Sequence, residues 1–180
     1  MIDKLTSFNR LSGMICIAIV SILALFVIAK ISQFQVYTRI VKLRALRANV
    51  ITSAAVIHGR LLAHQGKPDR KVCVDGIANN NMGAESTFCI EGKGIIRLVY
   101  GYPAVTEVSE KGILAVTGLT ELLDATATQL HTQGYDYAKV GNVAVFQVTG
   151  GRNANSCAFI YIEATVNAKP MISTVVETGC

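Results

Sequence analysis

The sequence predicts an α+β protein in which a long N-terminal helix packs against a small antiparallel β-sheet head. Three observations predict this class. Residues 14–29 form an apolar run interrupted only by Ser21, and apolar residues then recur at spacings of three and four as far as residue 61. After residue 70, short β-branched segments alternate with turns rich in glycine and asparagine, as expected for strands.

The apolar run is the first half of the predicted helix, which we expect to extend from Leu11 to Ala63. Neither proline nor glycine follows the run before Gly59. A membrane-spanning helix needs about 20 residues, and the run is just long enough for this once Ile31 is included beyond Lys30. We therefore expect this half of the helix to lie in lipid or inside a bundle of subunits.

The second half of the helix is amphipathic. Its apolar stripe is formed by Leu43, Leu46, Val50, Ala54, Ile57 and Leu61. The other side carries Arg39, Lys42, Arg47, Thr52, Ser53 and Arg60. We expect the stripe to lie on a soluble domain. The predicted division is a leader at 1–13, an apolar segment at 14–35, the amphipathic half at 36–66 and a globular β-rich head at 67–180.

The net charge of +5 is unevenly distributed. Residues 1–71 carry eleven Lys and Arg against two acids, whereas residues 72–180 carry six against ten. The basic side chains beside the apolar run favour anionic lipid or an acidic neighbouring subunit as partner, and no nucleic acid is expected. Their position after the run would place the head in the cytoplasm by the positive-inside rule, but the cysteines predict export.

The five cysteines divide into one single residue and two pairs. Cys16 lies in the apolar run and is interpreted as a small hydrophobic residue. Cys73 and Cys89 flank a polar loop, and Cys157 is matched with Cys180, which suggests two disulfides in an exported domain. Four cysteines allow three connectivities, so the pairing stays open at this point. No C-x-x-C motif occurs and the histidines lack ligand spacing, so neither metal nor cofactor is expected.

Most of the predicted elements after the helix are strands. They are placed at residues 71–76, 86–91, 94–100, 137–140, 142–149, 158–163 and 171–176. We expect 86–91 to pair back on 71–76, and two short helices between residues 108 and 131, the second beginning near Leu119. The tyrosines form either a binding surface or, as we favour, strand and turn packing. No nucleotide-binding, hydrolase or metalloprotease motif occurs, so the chain is not predicted to be an enzyme.

The beginning of the chain resembles the type IV prepilins, which have a short basic leader ending in glycine, then an apolar helix, then a β-rich head. Here Lys4 and Arg10 precede Gly13, and the apolar run starts at Met14. The resemblance is to the mannose-sensitive haemagglutinin (MSHA) class. It is carried by Leu-Val-Tyr-Gly-Tyr-Pro-Ala at 98–104, by Cys-Ala-Phe-Ile-Tyr at 157–161, and by the final Gly-Cys at 179–180.

The resemblance implies cleavage between Gly13 and Met14 by a leader peptidase, with N-methylation of Met14. It also implies insertion in the inner membrane with the head in the periplasm. Assembly with other pilin subunits into an extracellular filament for adhesion or motility would follow. Members of the family carry a glutamate where this chain has Ala18, so a minor subunit is expected. The alternatives are a secretion-system pseudopilin and a permanently anchored periplasmic binding domain.

Overall fold

The computed structural model describes residues 2–63, 83–90, 94–107, 112–113, 127–151 and 156–180. The chain divides into two compact units, Met1–Thr38 and Arg39–Cys180, and we call the second the head unit. Helix α1, Ile2–Ala63, contributes residues to both units. The strand predicted at 71–76, its pairing with 86–91, and most of the helical region predicted at 108–131 lie outside the described residues.

Helix α1 ends at Ala63, as predicted, but begins at Ile2 rather than at Leu11. The difference has a simple origin, because residues 2–12 contain neither proline nor glycine and so nothing stops a helix there. Two glycines lie inside the helix. At Gly13 and at Gly59 an added Cβ would meet no atom within 4 Å, so neither glycine marks a close approach to another element.

The predicted apolar stripe of α1 is confirmed as one side of the core of the head unit. All six of its residues are at most 3% exposed; Leu43, for example, is 0% exposed and Leu61 is 1% exposed. They belong to one buried cluster with Phe146, Phe159 and Tyr161 of the strands. The periodicity of the sequence therefore locates the buried face of the helix correctly.

The strands among the described residues form two antiparallel sheets rather than the single sheet that the sequence suggested. The first sheet has the order β1-β2-β3, with β1 at Ser86–Ile90, β2 at Gly94–Val99 and β3 at Tyr102–Pro103. The second has the order β4-β5-β6-β7, with strands Tyr135–Val140, Val143–Val148, Ala158–Ile162 and Met171–Ile172. A short helix, α2 at Ala127–Thr132, precedes β4.

Strand β7 is shorter than the predicted strand at 171–176 because a side chain interrupts its ladder. The Ser173 amide donates to the carbonyl oxygen of Ile160, as a regular strand residue would. The Ile160 amide, however, donates to the Ser173 hydroxyl at 3.0 Å instead of to a main-chain carbonyl. Regular pairing ends there, and a single bridge between Ala158 and Val176 follows.

A segment that we call the strap, residues 103–107, connects the first sheet to side chains of the second. The Tyr161 hydroxyl donates to the carbonyl oxygen of Pro103 at 2.7 Å. The Val105 amide donates to Glu163 Oε1 at 2.5 Å, and the Tyr137 hydroxyl donates to the carbonyl oxygen of Thr106 at 2.7 Å. The main-chain groups of Pro103, Val105 and Thr106 lie beyond the regular β2–β3 pairing. These three side chains provide their hydrogen-bond partners, so the groups are satisfied although the strap belongs to neither sheet.

Candidate functional site

The apolar segment, residues 14–35, is exposed throughout its described side chains. Met14 and Phe34 are each 69% exposed, and the large hydrophobic residues between them are all exposed as well. Its most apolar 18-residue window has a mean hydropathy of 2.8, and none of that window is buried. Helix α1 is therefore long and apolar enough to cross a membrane. The predicted cleavage site, Gly13 and Met14, lies within this helix and is exposed.

Two hydroxyl groups, one in the apolar segment and one just after it, are satisfied by the helix itself. Ser21 Oγ donates to the carbonyl oxygen of Ile17, and Thr38 Oγ1 donates to that of Phe34, both at 2.8 Å. Lys30 is the one charged residue between positions 13 and 38. A long lysine side chain near the end of an apolar run can extend its ammonium group to the lipid–water interface. These polar residues are thus compatible with an apolar surrounding.

Three arginines that follow the apolar segment contact the C-terminal segment of their own chain. Arg39 Nη1 donates to the carbonyl oxygen of Cys180 at 2.9 Å, and Arg47 Nε donates to that of Ser173 at 2.6 Å. Arg44 forms an ion pair with Glu177, with Nη2 and Oε1 2.6 Å apart. Sequence analysis had assigned the basic side chains here to lipid or to a neighbouring subunit. These three already have partners within the head unit.

The C-terminal segment is also held by a buried disulfide. Cys157 and Cys180 are bonded, with Cα atoms 4.7 Å apart, and are at most 5% exposed. This part of the predicted pairing is confirmed, and Cys16 is free and exposed. Cys89 is buried and disulfide-bonded. Its predicted partner, Cys73, lies outside the described residues, so that pairing stays a prediction.

Tyr100 and Gly101 form a tight turn between β2 and β3, and this turn and the Tyr102 that follows it contact helix α1. Tyr100 has a φ of 49° and Gly101 a φ of 78°, so two successive residues are left-handed. The His58 ring stacks on Tyr102 with centroids 4.0 Å apart and planes inclined by 5°. His58 Nδ1 lies 3.1 Å from the carbonyl oxygen of Gly101. The sequence itself gives no signal for this contact, because His58 and Tyr102 are far apart in the chain.

Two tyrosines of the second sheet are packing residues, as the sequence analysis favoured. Burial raises the pKa of the Tyr161 hydroxyl well above its ordinary 10.0, and the carboxylate of Glu163 adds to the rise. Burial likewise raises the pKa of Tyr137, with a further contribution from Glu107. Both hydroxyls donate hydrogen bonds to the strap, which requires the protonated form. The strap is therefore held by two phenols that resist ionisation.

We predict that stability declines at alkaline pH because of these tyrosines. Their pKa is raised in the folded state, so the unfolded chain loses its phenolic protons first, near pH 10. Stability is fully present below that pH and falls as the pH rises further, with about one proton released on unfolding for each tyrosine. The measurement is Tm from pH 8 to 11 in the Cys16→Ser variant, which removes the free thiol. We expect Tm to fall as the pH rises above about 10.

The comparison for this experiment is Tyr161→Phe, which lacks one of the two phenols. Its Tm should be lower at pH 8, because the bond to Pro103 is lost, but should fall less steeply above pH 10. Equal slopes for the two proteins would contradict the assignment.

A cleft of about 600 Å³ lies at one end of the two sheets. The beginning of β1 and the end of β2 form one wall, the β4–β5 turn and Glu163 form the other, and the strap residues Ala104 and Val105 lie between them. Sequence analysis did not identify this cleft, because its walls come from four separate parts of the chain. Its size is in the range of small-molecule sites.

The fold and these surfaces define a class: an α+β protein with one exposed apolar helix and a head closed by a C-terminal disulfide. No protein-family model, no curated protein and no solved structure matches the chain.

Proposed function

We propose that the chain is a structural subunit of a type IV pilus or a related filament, held in the inner membrane before assembly. The observation that carries the proposal is the apolar segment, which exposes large hydrophobic residues on all its sides. A contiguous apolar surface of this size needs lipid or protein around it. A membrane provides such a surrounding before assembly, and the packed helices of neighbouring subunits provide it in a filament.

A leader peptidase cleaves the chain between Gly13 and Met14 in this proposal. The head faces the periplasm first and becomes extracellular when the subunit enters the filament. The buried disulfide between Cys157 and Cys180 supports an oxidising location, since such bonds persist outside the reducing cytosol. The helical hydroxyls that bond their own main chain support residence of the helix in an apolar surrounding.

The partner in the filament is a subunit that carries a glutamate at the position where this chain has Ala18. Ala18 offers no carboxylate to a neighbour's terminal amine, so in this proposal the apolar segment contributes apolar packing, with Lys30 as its one charged group. The arginines that follow it are engaged by the C-terminal segment and offer less charge to a neighbour than the sequence suggests. We therefore propose a minor or conditional subunit that enters the filament beside a partner retaining the glutamate.

N-terminal sequencing of the protein isolated from its membrane tests the first step. A mature chain beginning at Met14 is the expected result. A chain that retains residues 1–13, with the head exported, would contradict filament assembly. It would favour the alternative of a permanently anchored binding domain, which the cleft in the head unit also supports.

Filament assays test the role of Ala18. Expressed as the only subunit, the wild-type chain should stay in the membrane, whereas Ala18→Glu should gain filaments visible by electron microscopy. Ala18→Gln is the matched control, because it has nearly the same size as glutamate and carries no charge. Abundant filaments of the wild-type chain alone would contradict the minor-subunit proposal.

A further inference from the structure

The cleft of the head unit contains a buried polar group that the fold itself does not satisfy. Ser86 is 5% exposed, and its Oγ has no hydrogen-bond partner among the described residues. Ser86 lines the cleft. A buried hydroxyl without a partner is unfavourable, and such groups occur at sites where a ligand or a water molecule satisfies them.

Among the described residues that line the cleft, the positive and negative side chains are equal in number. Lys139 and Arg97 are positive, whereas Glu85 and Glu163 are negative. Glu163 uses Oε1 to accept the Val105 amide, which fixes its carboxylate at the edge of the strap. A strongly anionic ligand would meet the two carboxylates, and a strongly cationic ligand would meet the two basic groups. The lining therefore complements a molecule that carries both signs.

The position of Lys139 suits it to bind a carboxylate. Its side chain is 28% exposed, and Nζ lies 3.7 Å from Glu107 Oε1, a long ion pair with a carboxylate that is itself 65% exposed. A contact of this length and exposure contributes little, so a ligand carboxylate can replace it at small cost. The side chain of Asn142, exposed in the neighbouring turn, offers both a donor and an acceptor to a main-chain amide.

We infer that this cleft binds a small zwitterionic ligand of the short-peptide class. The ligand carboxylate is bound by Lys139, its ammonium group by Glu163 with Glu85, and its amide groups by the polar side chains between them. A volume of about 600 Å³ accommodates a peptide of a few small residues. The inference does not depend on filament assembly, because every group involved belongs to the head unit.

The test is a titration of the full-length, ¹⁵N-labelled protein in detergent micelles with triglycine. Saturable shifts of the amide signals of Ser86, Gly141 and Asn142 are expected. Lys139→Gln and Glu163→Gln should each weaken binding about tenfold, because each removes one charge-assisted contact. Glutamine at 163 keeps an oxygen that can accept the Val105 amide, so this variant preserves the strap. Lys169→Gln, an exposed lysine outside the lining, is the matched control and should bind as the wild type does.

The ligand class is tested with two further probes. N-acetyl-triglycine amide, which has no charged terminus, should bind at least tenfold more weakly than triglycine. An uncharged methyl glycoside should leave the cleft signals unchanged. The inference is overturned if triglycine gives no saturable shift up to its solubility limit. It is equally overturned if the charge variants bind as tightly as the wild type, or if the glycoside saturates the same signals.

Discussion

Replacing Cys157 and Cys180 together by alanine is expected to lower the free energy of unfolding of the head by about 3 kcal/mol. The disulfide closes a loop across a sequence separation of 23, and cross-links of this span restrict the unfolded chain by about that amount. Alanine is chosen because Cys157 is 0% exposed, and serine would place an unpaired hydroxyl in this buried position. Chemical denaturation of the full-length protein in detergent, followed by near-ultraviolet circular dichroism, measures the change.

The matched control is Cys16→Ala, since this cysteine is free and exposed. It should leave the unfolding midpoint of the head unchanged. A loss below about 1 kcal/mol for the double variant would show that the contacts of Arg39, Arg44 and Arg47 hold the C-terminal segment without the cross-link.

Deletion of residues 1–38 is expected to leave a soluble, folded head. Thirteen large hydrophobic residues from Met14 to Phe34 are exposed. At roughly 1.5 kcal/mol for each, their transfer to lipid favours membrane association by on the order of 20 kcal/mol. The truncated chain begins at Arg39, where the head unit begins, and keeps the whole buried stripe of α1. Sedimentation and far-ultraviolet circular dichroism measure the result.

A second truncation provides the control for the boundary. Deletion of residues 1–47 also removes Leu43 and Leu46 from the core, together with the three arginines that contact the C-terminal segment. This longer deletion should leave the head unfolded, because each lost leucine alone costs about 2–5 kcal/mol. A folded product from the longer deletion, or an insoluble product from the shorter one, would contradict the division at Thr38.

The sequence predicted those features that depend on local periodicity. Leu43 to Leu61 follow a helical spacing, and each is buried. In β5, Ala144, Phe146 and Val148 alternate with half-buried neighbours and were correctly placed in a strand. These patterns are readable because a helix or a strand repeats its buried face within a few residues.

Features that join distant parts of the chain were not predicted. Arg39 and Cys180 are 141 positions apart, and Tyr161 reaches Pro103 across 58 positions. No local pattern indicates which carbonyl oxygen a surface arginine contacts, or which side chain satisfies a main-chain group beyond a sheet edge. For the same reason the division into two sheets was missed, and the cleft between them with it.

The bonds from Ser21 to Ile17 and from Thr38 to Phe34 satisfy both hydroxyl groups within helix α1 itself. Neither hydroxyl needs a partner from water, lipid or a second protein. These two groups can therefore pass from one medium to another without breaking and remaking hydrogen bonds. In any transfer between lipid and a protein surrounding, the polar cost falls on Lys30, Gln33 and Gln35 rather than on Ser21 or Thr38.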